Sequence, residues 1–472
     1  MRGIRARAAP VGGSFIFMDM NDIIVDTRQI EELLEGGAKA SREDIALILE
    51  RAALGKGTSL EDAAALLSIK DEEALSALLK KAGDVKDKVF GKRVVLFAPL
   101  YLSNFCTNGC VYCGFRSANR SVERKALTPE EAVIDAKALE AMGFKRVLLV
   151  TGEDPRYGVD YIASCVEAIY ANTGMRMVHV NAPPMDIASL RRLKDAGAGV
   201  YQSFQETYHR PTYEKVHPHG NKKDYDFRIK VMDRAIEAGF EDVGIGPLLG
   251  LYDHRFDCLA TIAHSKHLFE RFGAHAHTVS IPRLRPAESG LKDVPHPVSD
   301  LELKKIVAVF RLAIPSAGVV VSTREGAALR SELLHIGATQ LSAASRTNPG
   351  GYAQGKSLEQ FSTNDQRSLP EVMSSVVAEG FIPSLCTTCY RVGRTGAEFT
   401  RKTVAGEMEK FCQANALLTL KEYIEDYAEN GLREELGHTI EDGLGEIKDP
   451  SIKKALEDRL KEIEEGKRDI YF

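Results

Sequence analysis

Six of the eight cysteines form two groups of three, and these groups are the residues best suited to chemistry. The first group is Cys106, Cys110 and Cys113, with the spacing C-x3-C-x2-C. Three such thiolates can hold three corners of an iron–sulfur cube, which leaves one iron open for a ligand that comes and goes. A zinc knuckle is the alternative, but zinc sites usually pair C-x2-C with a second pair of ligands. The spacing therefore favours a 4Fe-4S cluster with one open iron.

The second group is Cys386, Cys389 and Cys412, and it again offers three thiolates without a fourth. No histidine lies close by in sequence to complete a zinc site. We therefore expect a second iron–sulfur cluster, with zinc or a degenerate structural site as the alternative. Cys165 and Cys258 stand alone in predicted helices and are expected to be small core residues.

The elements that must position these cysteines follow an alternating pattern. Residues 1–90 are predicted to form a helical layer. Residues 91–370 contain eight strand-then-helix or strand-then-loop units, which implies parallel strands with right-handed crossovers. Eight units in this length predict an α/β fold with a (β/α)8 TIM-type barrel, and a doubly wound sheet is the alternative. Residues 371–472 are predicted to form a helical C-terminal domain that carries the second triad.

The first predicted strand, RVVLFAPLYLS, ends just before Cys106. The first triad should therefore lie at the carboxyl end of the barrel strands, where barrel active sites are built.

Composition excludes several classes of protein. The 472 residues are 44% hydrophobic and 27% charged, which is ordinary for a globular protein. The net charge of −5 gives no bulk attraction to nucleic acid or to an anionic membrane, so neither is an expected partner. The initial segment MRGIRARAAPVGGSFIFMDM is too weakly apolar for a signal peptide, and no apolar run reaches membrane-spanning length. With clustered cysteines, we expect a cytoplasmic protein.

The motif C-x3-C-x-Tyr-C, with Tyr112 before its last cysteine, resembles that of the radical S-adenosylmethionine (SAM) superfamily. The resemblance implies that the open iron chelates SAM, and that an electron cleaves SAM to methionine and a 5′-deoxyadenosyl radical. It also implies that Gly152 and Glu153 hold the SAM amino group, that Glu206 lies near SAM, and that Arg228 meets the SAM carboxylate. The alternatives are an ordinary strand-to-loop turn at Gly152-Glu153 and a surface salt bridge at Arg228.

Both triads on one chain resemble, more narrowly, the tyrosine lyases of FeFe-hydrogenase maturation. Segments such as His277–Leu284 share this likeness. The resemblance implies that the radical abstracts hydrogen from L-tyrosine and that the Cα–Cβ bond breaks to give p-cresol and dehydroglycine. Dehydroglycine would become carbon monoxide and cyanide on an extra iron at the C-terminal 4Fe-4S cluster, for an iron unit that carries L-cysteine. The implied partners are a flavodoxin or ferredoxin as electron donor and other hydrogenase maturation proteins.

Tyrosine needs a cation for its carboxylate. Arg324 ends the seventh predicted strand and offers a bidentate fork at the barrel mouth, and Ser322 and Thr323 could add hydrogen bonds. The alternative for Arg324 is an ion pair with Glu325.

The extra iron needs a ligand other than thiolate. His264 and His267 lie three residues apart on the fifth predicted barrel helix, hence on one face. We expect His264 to bind the iron.

Two other functions remain open. A thiazole-biosynthesis tyrosine lyase would release dehydroglycine and would not need the C-terminal triad. A non-catalytic iron–sulfur carrier would use both open triads but would not need residues suited to SAM at several strand ends.

Overall fold

The computed structural model describes residues 23–285, 287, 290–355 and 359–472, so the initial segment weighed above as a signal peptide lies outside the described residues. Eight parallel strands close into a barrel, because β1 pairs with both β2 and β8. This confirms the predicted (β/α)8 architecture. The strands are β1 (Arg93–Ser103), β2 (Arg146–Thr151), β3 (Met177–Asn181), β4 (Val200–Gln202), β5 (Asp242–Ile245), β6 (Thr278–Ser280), β7 (Gly318–Val321) and β8 (Gln340–Ser342).

Helices surround the barrel, and side-chain caps fix several of their starts. Thr128 and Ser299 each form a capping box with the acidic residue three positions on, which satisfies otherwise unpaired backbone N–H groups. The N-terminal layer holds α1 (Thr27–Gly37), α2 (Arg42–Ala52), α3 (Leu60–Leu67) and α4 (Glu72–Phe90). The barrel helices are α5 (Pro129–Ala141), α6 (Val159–Asn172), α7 (Ile187–Asp195), α8 (Arg210–Val216), α9 (Tyr225–Ile229), α10 (Val231–Glu237), α11 (His254–Phe272), α12 (Asp300–Ala313) and α13 (Ala327–Ile336).

The C-terminal segment differs from the sequence prediction of helices and loops alone. A ninth strand, β9, pairs in parallel with the first residues of β1. The long β1 begins before the residues that pair with β8, which leaves its first residues to pair with β9. A strand of only three residues gives too short a pattern to be predicted from sequence. Two short helices occupy part of the predicted loop after Cys386. The elements are α14 (Leu369–Ala378), β9 (Ile382–Ser384), α15 (Thr388–Arg391), α16 (Gly396–Val404), α17 (Met408–Asp426), α18 (Asn430–Glu446) and α19 (Pro450–Glu464).

One continuous hydrophobic core joins the N-terminal layer, the barrel and the C-terminal segment. Helix α4 packs on α12, α13 and α17, and α17 packs on β9, α18 and α19. Cys165 and Cys258 are buried in this core, as expected. None of the helices in the described part of the chain combines the length and apolar character needed to cross a membrane.

Candidate active site

A cavity of about 250 Å³ runs through the interior of the barrel. At the carboxyl ends of the strands it is lined by Cys106, Cys113 and Arg324, and at the amino ends by Arg146 and Gln340. Of the residues predicted from sequence, it brings together Cys106, Cys110, Tyr112, Cys113, Gly152, Glu153, Glu206, Arg228, Ser322, Thr323 and Arg324.

The first triad offers three neighbouring soft donors. Burial raises the pKa of Cys110 to about 12, with Lys222 opposing the shift and the other two thiols adding to it. Burial and the neighbouring Cys106 also raise the pKa of Cys113. The thiols of Cys110 and Cys113 are therefore protonated unless a metal takes the place of the proton, and metal binding releases those protons. Three soft thiol donors fit an iron–sulfur cluster.

The arrangement differs from that of a site for one metal ion. Among the described residues, no group of three or more His, Cys, Asp or Glu side chains converges on a position that could hold a single ion. In a cube each thiolate binds a different iron, so the thiolates need not converge on one point.

The loop that carries the triad is clasped by the segment that follows α8. The amide of Gly109 donates to the carbonyl of His219, and the amide of Val111 donates to the carbonyl of Val216, each over 3.1 Å. A Cβ atom at Gly109 would lie only 2.3 Å from the ring of His219, so a larger residue there would displace that ring. These hydrogen bonds hold the cysteine loop against the end of α8 and the residues that follow it.

The side chain of Tyr112 forms a hydrogen bond with a residue of the same segment. Its hydroxyl lies 2.8 Å from Nε2 of His217, whose Nδ1 lies 2.9 Å from the carbonyl of Tyr213. Because the carbonyl can only accept, Nδ1 carries the proton and Nε2 accepts from Tyr112. Burial lowers the pKa of His217 to about 2 and raises that of Tyr112, so the pair is neutral. Nothing in the sequence pattern indicated His217.

Gly152 and Glu153 lie against the cysteine loop. Oε2 of Glu153 accepts a hydrogen bond of 2.7 Å from Nδ2 of Asn108, and its carbonyl accepts from the amide of Thr107 over 2.8 Å. A Cβ atom at Gly152 would lie 2.2 Å from the carbonyl oxygen of Phe105, so a side chain would push the loop away. The Glu153 carboxylate is thus fixed in the cavity wall.

Glu206 has a strained backbone and a charged environment. Its φ of 71° is left-handed, which is uncommon and strained for a residue other than glycine. Nζ of Lys222 lies 2.6 Å from its Oε1. Burial would raise the pKa of Glu206, but Lys222 and Arg228 outweigh burial and hold the pKa below its ordinary value. Glu206 is therefore an anion at neutral pH.

Arg228 is a buried residue of the cavity wall and not part of a surface salt bridge. Its Nε donates to the carbonyl of Phe204 over 2.8 Å. Lys222 was missed by the sequence analysis, since a lysine that follows a short turn carries no distinguishing pattern.

Arg324 is half-buried and faces the cavity. Its guanidinium lies 3.4 Å from the centroid of the Phe361 ring. Oγ of Ser322 accepts from the amide of Arg324 over 3.4 Å, and the amide of Thr323 donates to Oγ of Ser342. The stacked ring and these backbone bonds fix the position of the cation.

The alternative of an ion pair between Arg324 and Glu325 is wrong. Both carboxylate oxygens of Glu325 accept from Arg283, and Oε2 also accepts from Arg285 over 3.0 Å. Within the described residues no carboxylate lies within 4.0 Å of the Arg324 guanidinium. Among the described residues, the Arg324 guanidinium thus faces the cavity without a carboxylate partner.

The second triad lines a smaller cavity, of about 40 Å³, at the amino ends of the strands. This cavity brings together Cys386, Cys389 and Cys412. Burial raises the pKa of both Cys389 and Cys412. His277 lines the same cavity, with Nε2 3.0 Å from the hydroxyl of Tyr390. Three soft thiols are thus brought together, which suits an iron–sulfur cluster, while Nδ1 of His277 lies 3.1 Å from Oδ1 of Asp242.

The expectation that His264 serves this triad needs correction. His264 is buried in α11, with Nδ1 3.0 Å from the hydroxyl of Tyr208, and burial lowers its pKa to about 4. Among the described residues that line the two cavities, His264 does not appear, and His267 pairs with Asp233. Helical spacing correctly put both histidines on one side of α11, but that side packs on its neighbours. Among the described residues that line the second cavity, the histidine is His277.

The two cavities share part of their lining inside the barrel. Arg146, Gln340 and Tyr390 line both of them. Nη2 of Arg146 also donates to the carbonyl of Cys386, which ties the start of β2 to the second triad. The two triads thus lie at opposite ends of one lined interior.

Comparison with known proteins agrees with this arrangement. The radical SAM superfamily matches residues 100–263, and the biotin and thiamin synthesis associated domain matches residues 280–382. The 2-iminoacetate synthase of Escherichia coli is 34% identical over 339 residues, which cover 71% of this chain and 89% of that protein.

Two solved structures are similar over nearly all of the chain. A crystal structure of HydG, a maturase of the [FeFe]-hydrogenase, is 42% identical with a TM-score of 0.92, and covers 95% of this chain and 100% of that one. HydG from Carboxydothermus hydrogenoformans is 37% identical with a TM-score of 0.84, and covers 94% and 100%. A radical SAM domain implies a 4Fe-4S cluster and SAM. The chain therefore belongs to the radical SAM enzyme family and resembles HydG.

Proposed function

We propose that this enzyme cleaves the Cα–Cβ bond of L-tyrosine to p-cresol and dehydroglycine, and converts the fragment to carbon monoxide and cyanide. The product is an iron carbonyl cyanide unit with L-cysteine, destined for the active site of an FeFe-hydrogenase. One observation carries the proposal: a triad of cysteines lies at each end of a single barrel interior. The similarity to HydG and to 2-iminoacetate synthase supports it.

The first triad and the residues around it prepare the radical step. When bound, the 4Fe-4S cluster and SAM supply the 5′-deoxyadenosyl radical that removes hydrogen from the tyrosine amino group. Gly152 and Glu153 bind the SAM ammonium, since a fixed carboxylate in the cavity wall suits a cation. Arg228 binds the SAM carboxylate, and Glu206 stays ionised beside it.

Arg324 binds the tyrosine carboxylate. Its guanidinium is stacked on Phe361, lacks a carboxylate partner among the described side chains, and presents a fork that matches a carboxylate. Ser322 holds the Arg324 backbone, and Thr323 anchors the same turn. These contacts orient the amino acid with its carboxylate end at the mouth of the barrel.

The interior of the barrel carries the fragment to the second triad. The path passes Arg146 and Gln340, which line both cavities. There Cys386, Cys389 and Cys412 would hold the second cluster. His277, which lines the same cavity, would bind the extra iron that becomes part of the product. Reduction requires an electron donor such as flavodoxin or ferredoxin, and delivery of the iron unit requires other maturation proteins.

The alternative is a lyase of thiazole biosynthesis that releases dehydroglycine, and the second triad separates the two. The variant Cys386→Ala/Cys389→Ala should still form p-cresol from tyrosine and SAM, because the radical step uses the first triad. It should form little or no iron-bound carbonyl, which infrared bands of carbon monoxide and cyanide report. Cys165→Ala is the matched control, since this buried cysteine belongs to neither triad.

Normal carbonyl bands from the double variant would refute a chemical role for the second triad. Loss of p-cresol from a folded variant with its first cluster intact would refute the division of labour between the triads. Dehydroglycine release by the parent chain, with no carbonyl bands, would favour the thiazole-type lyase.

A further inference from the structure

The thiol of Cys113 is contacted by an amide from a distant part of the chain. Nε2 of Gln360 lies 3.6 Å from Sγ of Cys113, within hydrogen-bond reach for the large sulfur atom. Gln360 follows β8, whereas Cys113 follows β1. The amide of Gly114 donates to the carbonyl of Gln360 over 3.2 Å, and the amide of Gln360 donates to the carbonyl of Thr347 over 3.0 Å. Backbone bonds on both sides thus hold Gln360 against the cysteine loop.

Tyr101 sets the orientation of the Gln360 amide. Its hydroxyl lies 2.8 Å from Oε1 of Gln360, and burial raises the pKa of Tyr101, so the phenol keeps its proton and donates. A cysteine thiolate in a cluster can only accept a hydrogen bond. The amide must then turn its NH2 group to Cys113 and its oxygen to the phenol, which is the orientation observed. The chain Tyr101–Gln360–Cys113 therefore delivers one N–H donor to one thiolate.

We infer that Gln360 is a positioning residue that acts through Cys113 to raise the reduction potential of the cluster held by the first triad. The reduced cluster carries one more negative charge, so an N–H donor at a ligand sulfur stabilises it more than the oxidised cluster. This role rests on the cluster that the radical SAM family implies and not on the identity of the substrate. The two proposals can therefore fail separately.

The test is a redox titration of the reconstituted full chain, followed by electron paramagnetic resonance. The parent carries Cys386→Ala and Cys389→Ala, so that the signal comes from the first cluster alone. Gln360→Met keeps the length of the side chain but removes the N–H donor. At a fixed applied potential we expect the ratio of reduced to oxidised cluster to fall by up to about tenfold, which is about 59 mV for a one-electron couple.

Two further variants make the test decisive. Gln354→Met changes the same residue type in the same segment, where Gln354 bonds Lys125 and not a cysteine, and should leave the potential unchanged. Tyr101→Phe frees the amide without removing it and should give a smaller shift in the same direction. An unchanged or more positive potential in Gln360→Met with intact cluster overturns the inference. If Gln360→Met fails to hold the cluster, an unchanged potential in Tyr101→Phe overturns it.

Discussion

Replacement of Arg324 by lysine tests the proposed substrate contact most directly. Lysine keeps the positive charge, but it loses the two-pronged fork and the flat surface that stacks on Phe361 at 3.4 Å. The cation at this position is not required to neutralise Glu325, because Arg283 and Arg285 already bind that carboxylate. The substitution should therefore disturb ligand binding more than the fold.

The magnitude follows from the contacts that are lost. A bidentate charged hydrogen bond is worth about 1.5–3 kcal/mol, and every 1.4 kcal/mol is about tenfold in affinity. We expect the Kd of L-tyrosine to rise by about tenfold or more in Arg324→Lys. The affinity for SAM should stay within about twofold, since its proposed contacts lie with Glu153 and Arg228.

The assay is calorimetric titration of tyrosine into the reconstituted, SAM-loaded enzyme under anaerobic conditions. Arg285→Lys is the matched control, because Arg285 is a nearby arginine bound to Glu325 and does not line the cavity in the described structure. Its tyrosine affinity should equal that of the parent. Equal tyrosine affinity in Arg324→Lys and the parent would refute the reasoning and place the carboxylate elsewhere.

Two other substitutions have clear expected outcomes. Cys106→Ala removes one corner of the first triad and should abolish formation of 5′-deoxyadenosine, so near-normal turnover measured by chromatography would contradict the assignment. Asp257 is buried with a pKa raised to about 7 by burial, against an ordinary 3.8, so the folded state holds a proton that the unfolded state releases. Stability should therefore fall as the pH rises from about 4 to about 7, and Asp257→Asn should flatten this fall in chemical-denaturation curves, whereas parallel curves would argue against it.

The sequence alone predicted the barrel because the strand-and-helix alternation spans the whole segment and local caps support it. Thr128 and Ser299, for example, stand at real capping boxes, and Cys106 follows the first strand. It also predicted the residues at the mouth of the barrel. In a parallel barrel the carboxyl ends of all strands lie on one face. Glu153 and Arg324 therefore line the same cavity although they are far apart in sequence.

The partners of these residues could not be predicted, because each contact depends on tertiary packing between segments that share no pattern. Lys222 reaches Glu206 only because the segment after α8 folds over the cysteine loop. Gln360 reaches Cys113 from the opposite end of the barrel sequence. A polar side chain in an irregular loop has no periodicity to reveal which group it will meet.

The error over the iron ligand has a more specific cause. The sequence places His264 and His267 on one face of a helix, but it does not show which segments that face packs against. The second triad lies at the amino ends, where β9 extends the sheet beside β1 and the following segment crosses the strand starts. His277 immediately precedes β6 and so reaches that end, whereas His264 lies near the middle of a packed helix. The ninth strand of three residues thus helps to place the second triad at the amino ends of the strands, where His277 and not His264 lines the cavity.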